Sequence, residues 1–138
     1  MFKQPYKFQV SKIFSIAYAL FLLLGFLLTI GRWISQFSDF VVINSEVNSH
    51  ISNFSLSLIA YLGIGFSWLL SGIKFRCVTL LGVVFILGNL LCETVMFFLN
   101  TTDIVDAYFG IGGVCLVYIF LFLTQKYGLV PLDKKTFN

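Results

Sequence analysis

Four apolar segments separated by short polar stretches dominate the pattern of this sequence; they cover residues 13–30, 54–70, 78–99 and 104–124. A helix rises about 1.5 Å per residue, so about 20 residues cross the roughly 30 Å hydrocarbon core of a bilayer. The pattern therefore predicts an all-α fold, an integral membrane bundle of four transmembrane helices that forms a single domain over residues 1–138. The second segment is the shortest and is expected to begin earlier, near Ser49.

The composition supports this interpretation. Hydrophobic residues make up 59% of the chain and charged residues 11%, against roughly 25% charged residues in soluble domains. The three cysteines lack the paired spacing of a metal or redox motif, and we expect them to be small buried hydrophobic residues. They are Cys77, Cys92 and Cys115.

The positive charges predict the orientation of the bundle. Eight basic residues fall on one side: Lys3, Lys7, Lys12, Lys74, Arg76, Lys126, Lys134 and Lys135. Arg32 alone falls on the other side. Because cytoplasmic loops of membrane proteins are rich in Lys and Arg, both termini are predicted to be cytoplasmic, in a multi-pass protein of the plasma membrane. Residues 32–53 then form an extracytoplasmic loop, and a nucleic acid partner is not expected.

The polar residues of the third and fourth spans meet at the predicted outer side. Glu93 lies roughly 9 Å below the outer end of its span, and Asn89 lies one turn deeper on the same face. Carboxylates inside a membrane are costly and face the interior of the bundle. Asp103 and Asp106 begin the fourth span, and the short turn between the spans brings them near Glu93.

Two further polar residues and two sets of small residues complete the pattern. His50 and Asn53 precede the second span on the same outer side. Small residues allow helices to approach closely. Helix packing is therefore predicted for Gly110 and Gly113, which share the Asp103 stripe and most simply face the third span. It is also predicted for the ladder of Gly63, Ser67 and Ser71.

Each polar candidate also has a purely structural interpretation. Asp103 and Asp106 match the N-cap and N3 positions of a helix, where carboxylates accept hydrogen bonds from free backbone N–H groups. Glu93 can form an internal hydrogen bond that packs two helices, and His50 can be a solvated loop residue. As a ligand-binding site, the cluster suits a divalent metal, a cationic or hydrogen-bonding head group, or general acid chemistry.

These residues resemble the VanZ-like family of small bacterial membrane proteins, named for an accessory protein of glycopeptide-resistance clusters. The resemblance covers roughly residues 46–124: a histidine at the start of a helix, His50, a glutamate late in the next helix, Glu93, and the pattern D-x-x-D-x-x-x-(N/G)-x-x-G at residues 103–113. The chain departs from the family at Met96, where many members have Gln, at Asn100 and Thr101, where they have Arg, and at Gly110, where they have Asn. The resemblance implies an envelope protein, whose namesake is associated with lowered sensitivity to teicoplanin, and implies no established reaction.

We therefore expect a non-enzymatic protein of the bacterial cell envelope that recognises a lipid-linked or cell-wall component, or another membrane protein, at its outer side. The ligand-binding candidates are Glu93, Asp103, Asp106, His50, Asn53 and Asn89. No catalytic residue or cofactor is assigned, because the chain has no HExxH, no GxSxG and no Gly-rich phosphate loop. The alternatives are a membrane enzyme that acts on a lipid head group through a carboxylate or metal site, and a structural subunit of a larger membrane complex.

Overall fold

Four helices make up most of the protein. A computed structural model describes residues 6–95 and 103–132. The helices are α1 (Lys12–Ile34), α2 (Ser45–Leu70), α3 (Phe75–Thr94) and α4 (Ile104–Leu123). All four are long and apolar enough to cross a membrane, which confirms the predicted helical class and the number of candidate spans. The predicted end of the third span, at residues 96–99, and the turn at 100–102 lie outside the described residues.

The second helix begins before its apolar segment, as expected from the shortness of that segment, and its start lies four residues before the expected Ser49. It starts at Ser45, so the predicted loop over residues 32–53 is helical in its last part. Asn44 is the N-cap, and its side chain accepts a hydrogen bond from the Val47 backbone N–H at 2.8 Å. Helix starts are determined by caps of this kind, which hydropathy does not detect. His50 and Asn53 are therefore helical residues and not loop residues.

The remaining loop is fixed to the bundle by Asn48. This side chain is buried; its Oδ1 accepts a hydrogen bond from the Val42 backbone N–H at 3.1 Å, and its Nδ2 donates to the Ser35 hydroxyl at 3.1 Å. Arg32 also donates to that hydroxyl, at 3.3 Å. The loop is thereby held over the ends of α1 and α2.

The core is formed mainly by α2 and α4, and α2 contacts all three other helices. Ten buried residues make up this core: Leu58, Tyr61, Leu62, Phe66, Leu69, Val78, Val114, Val117, Phe120 and Leu121. Two glycines allow the close approach of α2 and α4. A Cβ atom at Gly65 would lie 2.5 Å from the Leu121 side chain, and one at Gly113 would lie 2.5 Å from the Phe54 carbonyl oxygen. Gly113 therefore packs against α2, and not against the third helix as the simplest interpretation predicted.

A short β-ribbon brings the two ends of the described chain together. Strand β1 (Phe8–Val10) pairs antiparallel with β2 (Leu129–Pro131), which follows a π-helical turn at Thr124–Gly128. No sequence pattern predicts this ribbon, because three-residue strands are too short to show an alternation of apolar and polar residues. The pairing places the first and last described residues at the same end of the bundle.

The charged residues of the described chain separate between the two ends. Lys7, Lys12, Lys74, Arg76 and Lys126 lie at the end that carries the ribbon, here called the basic end. The opposite end, here called the acidic end, carries Asp39, Glu46, Glu93, Asp103 and Asp106, with Arg32 as its single described Lys or Arg. The separation of charge along the bundle matches the predicted placement of basic residues on one side.

One prediction of burial and one of helix packing do not agree with the described structure. All three cysteines are exposed on the surface of the helices, because the outside of this bundle is as apolar as its core and offers small apolar residues no reason to be buried. The ladder of Gly63, Ser67 and Ser71 shows no close helix packing at Gly63: apart from its neighbours and the backbone of its own helix, no described atom lies within 4 Å of a Cβ atom there. Ser67 is exposed. Packing of this ladder against another molecule stays a prediction.

Candidate functional site

His50 and two aspartates meet at the acidic end. The His50 Nδ1 lies 2.7 Å from the Asp106 Oδ1 and 3.7 Å from the Asp103 Oδ2. The His50 and Asp106 side chains are 15% and 20% exposed, whereas Asp103 is 43% exposed. The group is therefore half-buried, and its open side is at Asp103. We call these three residues the His–Asp cluster.

The start of α4 explains the positions of both aspartates. Asp103 is the N-cap: its Oδ1 accepts a hydrogen bond from the Val105 backbone N–H at 2.9 Å, and its carbonyl oxygen accepts one from the Asp106 backbone N–H at 3.0 Å. The capping role expected for Asp103 is thus present, and it leaves Oδ2 on the side of His50. The Asp106 side chain, one turn into the helix, pairs with His50.

A second polar group lies beside the cluster. A cavity of about 280 Å³ is lined by Asn53 of α2 and by Asn89 and Glu93 of α3, together with apolar residues and Cys92. Glu93 is 6% exposed. Its Oε2 accepts a hydrogen bond from the Asp103 backbone N–H at 3.3 Å, so the cavity adjoins the His–Asp cluster through the backbone of Asp103.

Asn89 is fixed in this cavity by three contacts. Its Nδ2 donates to the Ser57 hydroxyl at 3.1 Å and to the Phe85 carbonyl oxygen at 2.9 Å, and its Oδ1 lies 3.3 Å from the same hydroxyl. A Cβ atom at Gly110 would overlap the Asn89 side chain. The predicted packing role of Gly110 is thus to leave room for an amide that links α2 and α3.

The structure therefore brings the six candidate residues into two adjacent groups. His50, Asp103 and Asp106 form one, and the other is formed by Asn53, Asn89 and Glu93. Ser57 was not predicted as a site residue, because polar candidates of this region were sought only in the predicted loop, which ended at Asn53. Within the longer helix, His50, Asn53 and Ser57 follow at intervals of three and four and share one face, and that spacing is the signal that would have revealed Ser57.

The acidic end has an excess of negative charge. Asp103 and Asp106 face a single imidazole, and Glu93 accepts a hydrogen bond from the Asp103 backbone N–H. Within residues 6–95 and 103–132, both ion pairs involve His50, and Arg32 instead donates to Ser35. Three carboxylates near one histidine provide a site for a cation or for a ligand that donates hydrogen bonds.

The arrangement gives no support to nucleophilic catalysis. In the part of the chain that the structure describes, the hydrogen-bond partner of the His50 ring is the Asp106 carboxylate, not a serine or a cysteine. The ring also lies 5.5 Å from the Phe109 ring, measured between centroids. A histidine that activates a nucleophile needs that nucleophile within hydrogen-bonding reach, and in the described residues the His50 ring contacts a carboxylate at that distance instead.

Comparison of the chain with protein-family models, with curated proteins and with solved structures gives no significant match in any of the three. The residues of the site and their geometry are accordingly the basis of the functional argument.

Proposed function

We propose that this chain is a multi-pass membrane protein of the bacterial cell envelope that binds the head group of a lipid-linked cell-wall component at its acidic end. It acts without catalysis, with both termini in the cytoplasm and the acidic end outside. The chain is surrounded by the lipid bilayer, and the alternative partner for the same surface is another membrane protein.

The membrane location rests on the four helices. Each has the length and hydropathy of a span, and the outer surface of the bundle is covered with large apolar side chains. In water this surface would expose far more apolar area than soluble proteins do. In a bilayer the same side chains contact lipid tails. The basic end would face the cytoplasm by the positive-inside rule.

The recognition role rests on one observation, the convergence of His50, Asp103 and Asp106 beside a polar cavity at one end of an otherwise apolar bundle. Ionisable residues at such positions are costly and are associated with ligand or ion sites in membrane proteins. The apolar helix surfaces beside the cavity suit the lipid tail of the ligand, and the polar side chains of the cavity suit hydrogen-bond donors of its head group.

The resemblance to the VanZ-like family adds the cellular setting. Its pattern includes His50, Glu93, Asp103 and Asp106, and these four residues lie in the two adjacent groups at the acidic end. We therefore extend the proposal to an effect on glycopeptide sensitivity, with teicoplanin as the antibiotic to test.

Production of the wild-type protein in a teicoplanin-sensitive bacterium is expected to raise the inhibitory concentration at least about twofold. The His50→Ala variant is expected to return it to the value of the empty vector, because the imidazole pairs with both aspartates. Immunoblots of membrane fractions would verify equal amounts of each protein. Asp39→Ala removes an exposed carboxylate at the same end and is expected to behave like the wild type.

Two outcomes would contradict the proposal. If the inserted wild-type protein leaves teicoplanin sensitivity unchanged, the link to glycopeptides is wrong. If His50→Ala is as effective as the wild type, the His–Asp cluster is not the site.

A further inference from the structure

We infer that the His–Asp cluster binds a divalent transition-metal ion, with Zn²⁺ as the representative ion, through one imidazole nitrogen and two carboxylate oxygens. One ligand atom from each of His50, Asp103 and Asp106 lies within 4.8 Å of the other two. Zinc binds nitrogen and oxygen ligands at about 2.0–2.2 Å, so ligand atoms in a tetrahedral site are roughly 3.4 Å apart. The observed separations of 2.7 and 3.7 Å from the His50 Nδ1 lie on either side of this value, and small side-chain rotations would form the site.

The backbone holds the ligands in place from two different helices. His50 lies within the second turn of α2, which is capped by Asn44. Asp103 uses Oδ1 as the N-cap of α4, and its Oδ2 lies 3.7 Å from the His50 Nδ1. Because each ligand is positioned by a capped helix, metal binding requires little ordering of the chain, and the cost in conformational entropy is low.

Charge favours a dication over a proton at this position. A protonated His50 supplies one positive charge to two aspartates, and the Glu93 carboxylate accepts a hydrogen bond from the backbone of one of them. Arg32, the single described Lys or Arg at this end, donates to Ser35. A dication balances both aspartates and leaves the imidazole neutral, the form in which histidine binds metals.

The donor set selects the kind of ion. Imidazole nitrogen suits zinc and its neighbours in the transition series, whereas Ca²⁺ and Mg²⁺ take oxygen ligands. Three protein ligands leave a coordination position open, and the 43% exposure of Asp103 gives access to it. This inference rests on the proposed function in one respect: the open position would accept a phosphate oxygen of the head group, which the carboxylates alone would repel.

Zinc binding by the purified protein in detergent tests the inference, with a chromophoric chelator as competitor. The three exposed cysteines are replaced by serine in every variant, because thiolates would bind zinc elsewhere. We expect one zinc ion per chain, and Ca²⁺ in excess should not displace it. Asp103→Asn and Asp106→Asn should each weaken binding at least tenfold, since loss of even an outer-shell partner costs about 10–100-fold. Asp103→Asn keeps a good N-cap, so weaker binding would not reflect loss of the helix start.

Asp39→Ala and Glu46→Ala remove exposed carboxylates of the same end outside the cluster and should bind zinc like the parent protein. X-ray absorption at the zinc edge should show nitrogen and oxygen ligands. Absence of zinc binding, or equal binding by the Asp103→Asn and parent proteins, would overturn the inference. Head-group binding that survives chelator treatment would reject a role of the metal in head-group binding and leave the proposed function intact. Zinc binding without head-group binding would support the metal site and reject the proposed function.

Discussion

Replacement of Gly113 by alanine is expected to destabilise the folded protein by about 1–2 kcal/mol. The new Cβ atom would lie 2.5 Å from the Phe54 carbonyl oxygen and 3.3 Å from the Leu58 backbone nitrogen. Both are backbone atoms of α2, so the two helices of the core must separate. Overpacking of this kind costs about 1–3 kcal/mol, and the better helix propensity of alanine returns at most about 1 kcal/mol.

The neighbouring glycine provides the matched control. A Cβ atom at Gly112 would lie 3.8 Å from the Phe54 ring, an ordinary contact, so Gly112→Ala is expected to keep or slightly raise stability. The free energy of unfolding in mixed micelles measures both variants. Equal values for Gly112→Ala and Gly113→Ala would mean that α2 and α4 do not pack as closely as described.

The second large effect is a coupling between His50 and Asp106. Their 2.7 Å contact is half-buried, and hydrogen bonds to charged groups contribute about 1.5–3 kcal/mol. A double-mutant cycle of His50→Ala and Asp106→Ala should therefore give an interaction free energy of about 1.5–3 kcal/mol, because each single variant already removes the contact that the other would remove.

A parallel cycle of His50→Ala with Asp39→Ala serves as the control, since Asp39 is exposed in the loop. Its interaction free energy should be close to zero. A value for the His50 and Asp106 cycle that matches this control would refute the pairing on which the His–Asp cluster depends.

The helices were predictable because apolar length is a strong signal. A run of about 20 apolar residues has few alternatives to a span, and the four predicted segments correspond to α1 to α4. The stripe of Asp103, Asp106, Gly110 and Gly113 was also predictable, because helical periodicity fixes which residues share a face. Periodicity does not determine which helix lies against that face. The contact of Gly113 with α2 was therefore not predicted.

The pairing of His50 with Asp106 was not predictable in detail. Hydropathy began the second span at residue 54, and its shortness moved the expected start to near Ser49, whereas the Asn44 cap begins the helix at Ser45. The direction of a histidine side chain is not defined by a loop, but it is defined by a position on a helix. The predicted topology placed His50 at the same end of the bundle as the aspartates. Its pairing with Asp106 depends on the Asn44 cap, which lies outside the apolar segment.

The β-ribbon at the basic end and the exposure of the cysteines were also not predictable from the sequence pattern. The β-ribbon is held by long-range backbone hydrogen bonds, such as that from the Lys7 N–H to the Leu70 carbonyl oxygen at 2.8 Å, and such contacts leave no pattern in three-residue strands. The cysteines were assigned to the core by a rule for soluble proteins. That rule fails when the outside of a bundle is apolar, as it is here.

Head-group binding by the protein in lipid nanodiscs tests the central claim most directly. The probe is a lipid-linked peptidoglycan precursor, and the control ligand is the same polyprenyl chain without its head group. We expect saturable binding of the precursor but not of the bare chain, at least tenfold weaker in Asp106→Ala and unchanged in Asp39→Ala. Equal binding of both ligands, or equal affinity of the wild-type and Asp106→Ala proteins, would contradict recognition at the acidic end.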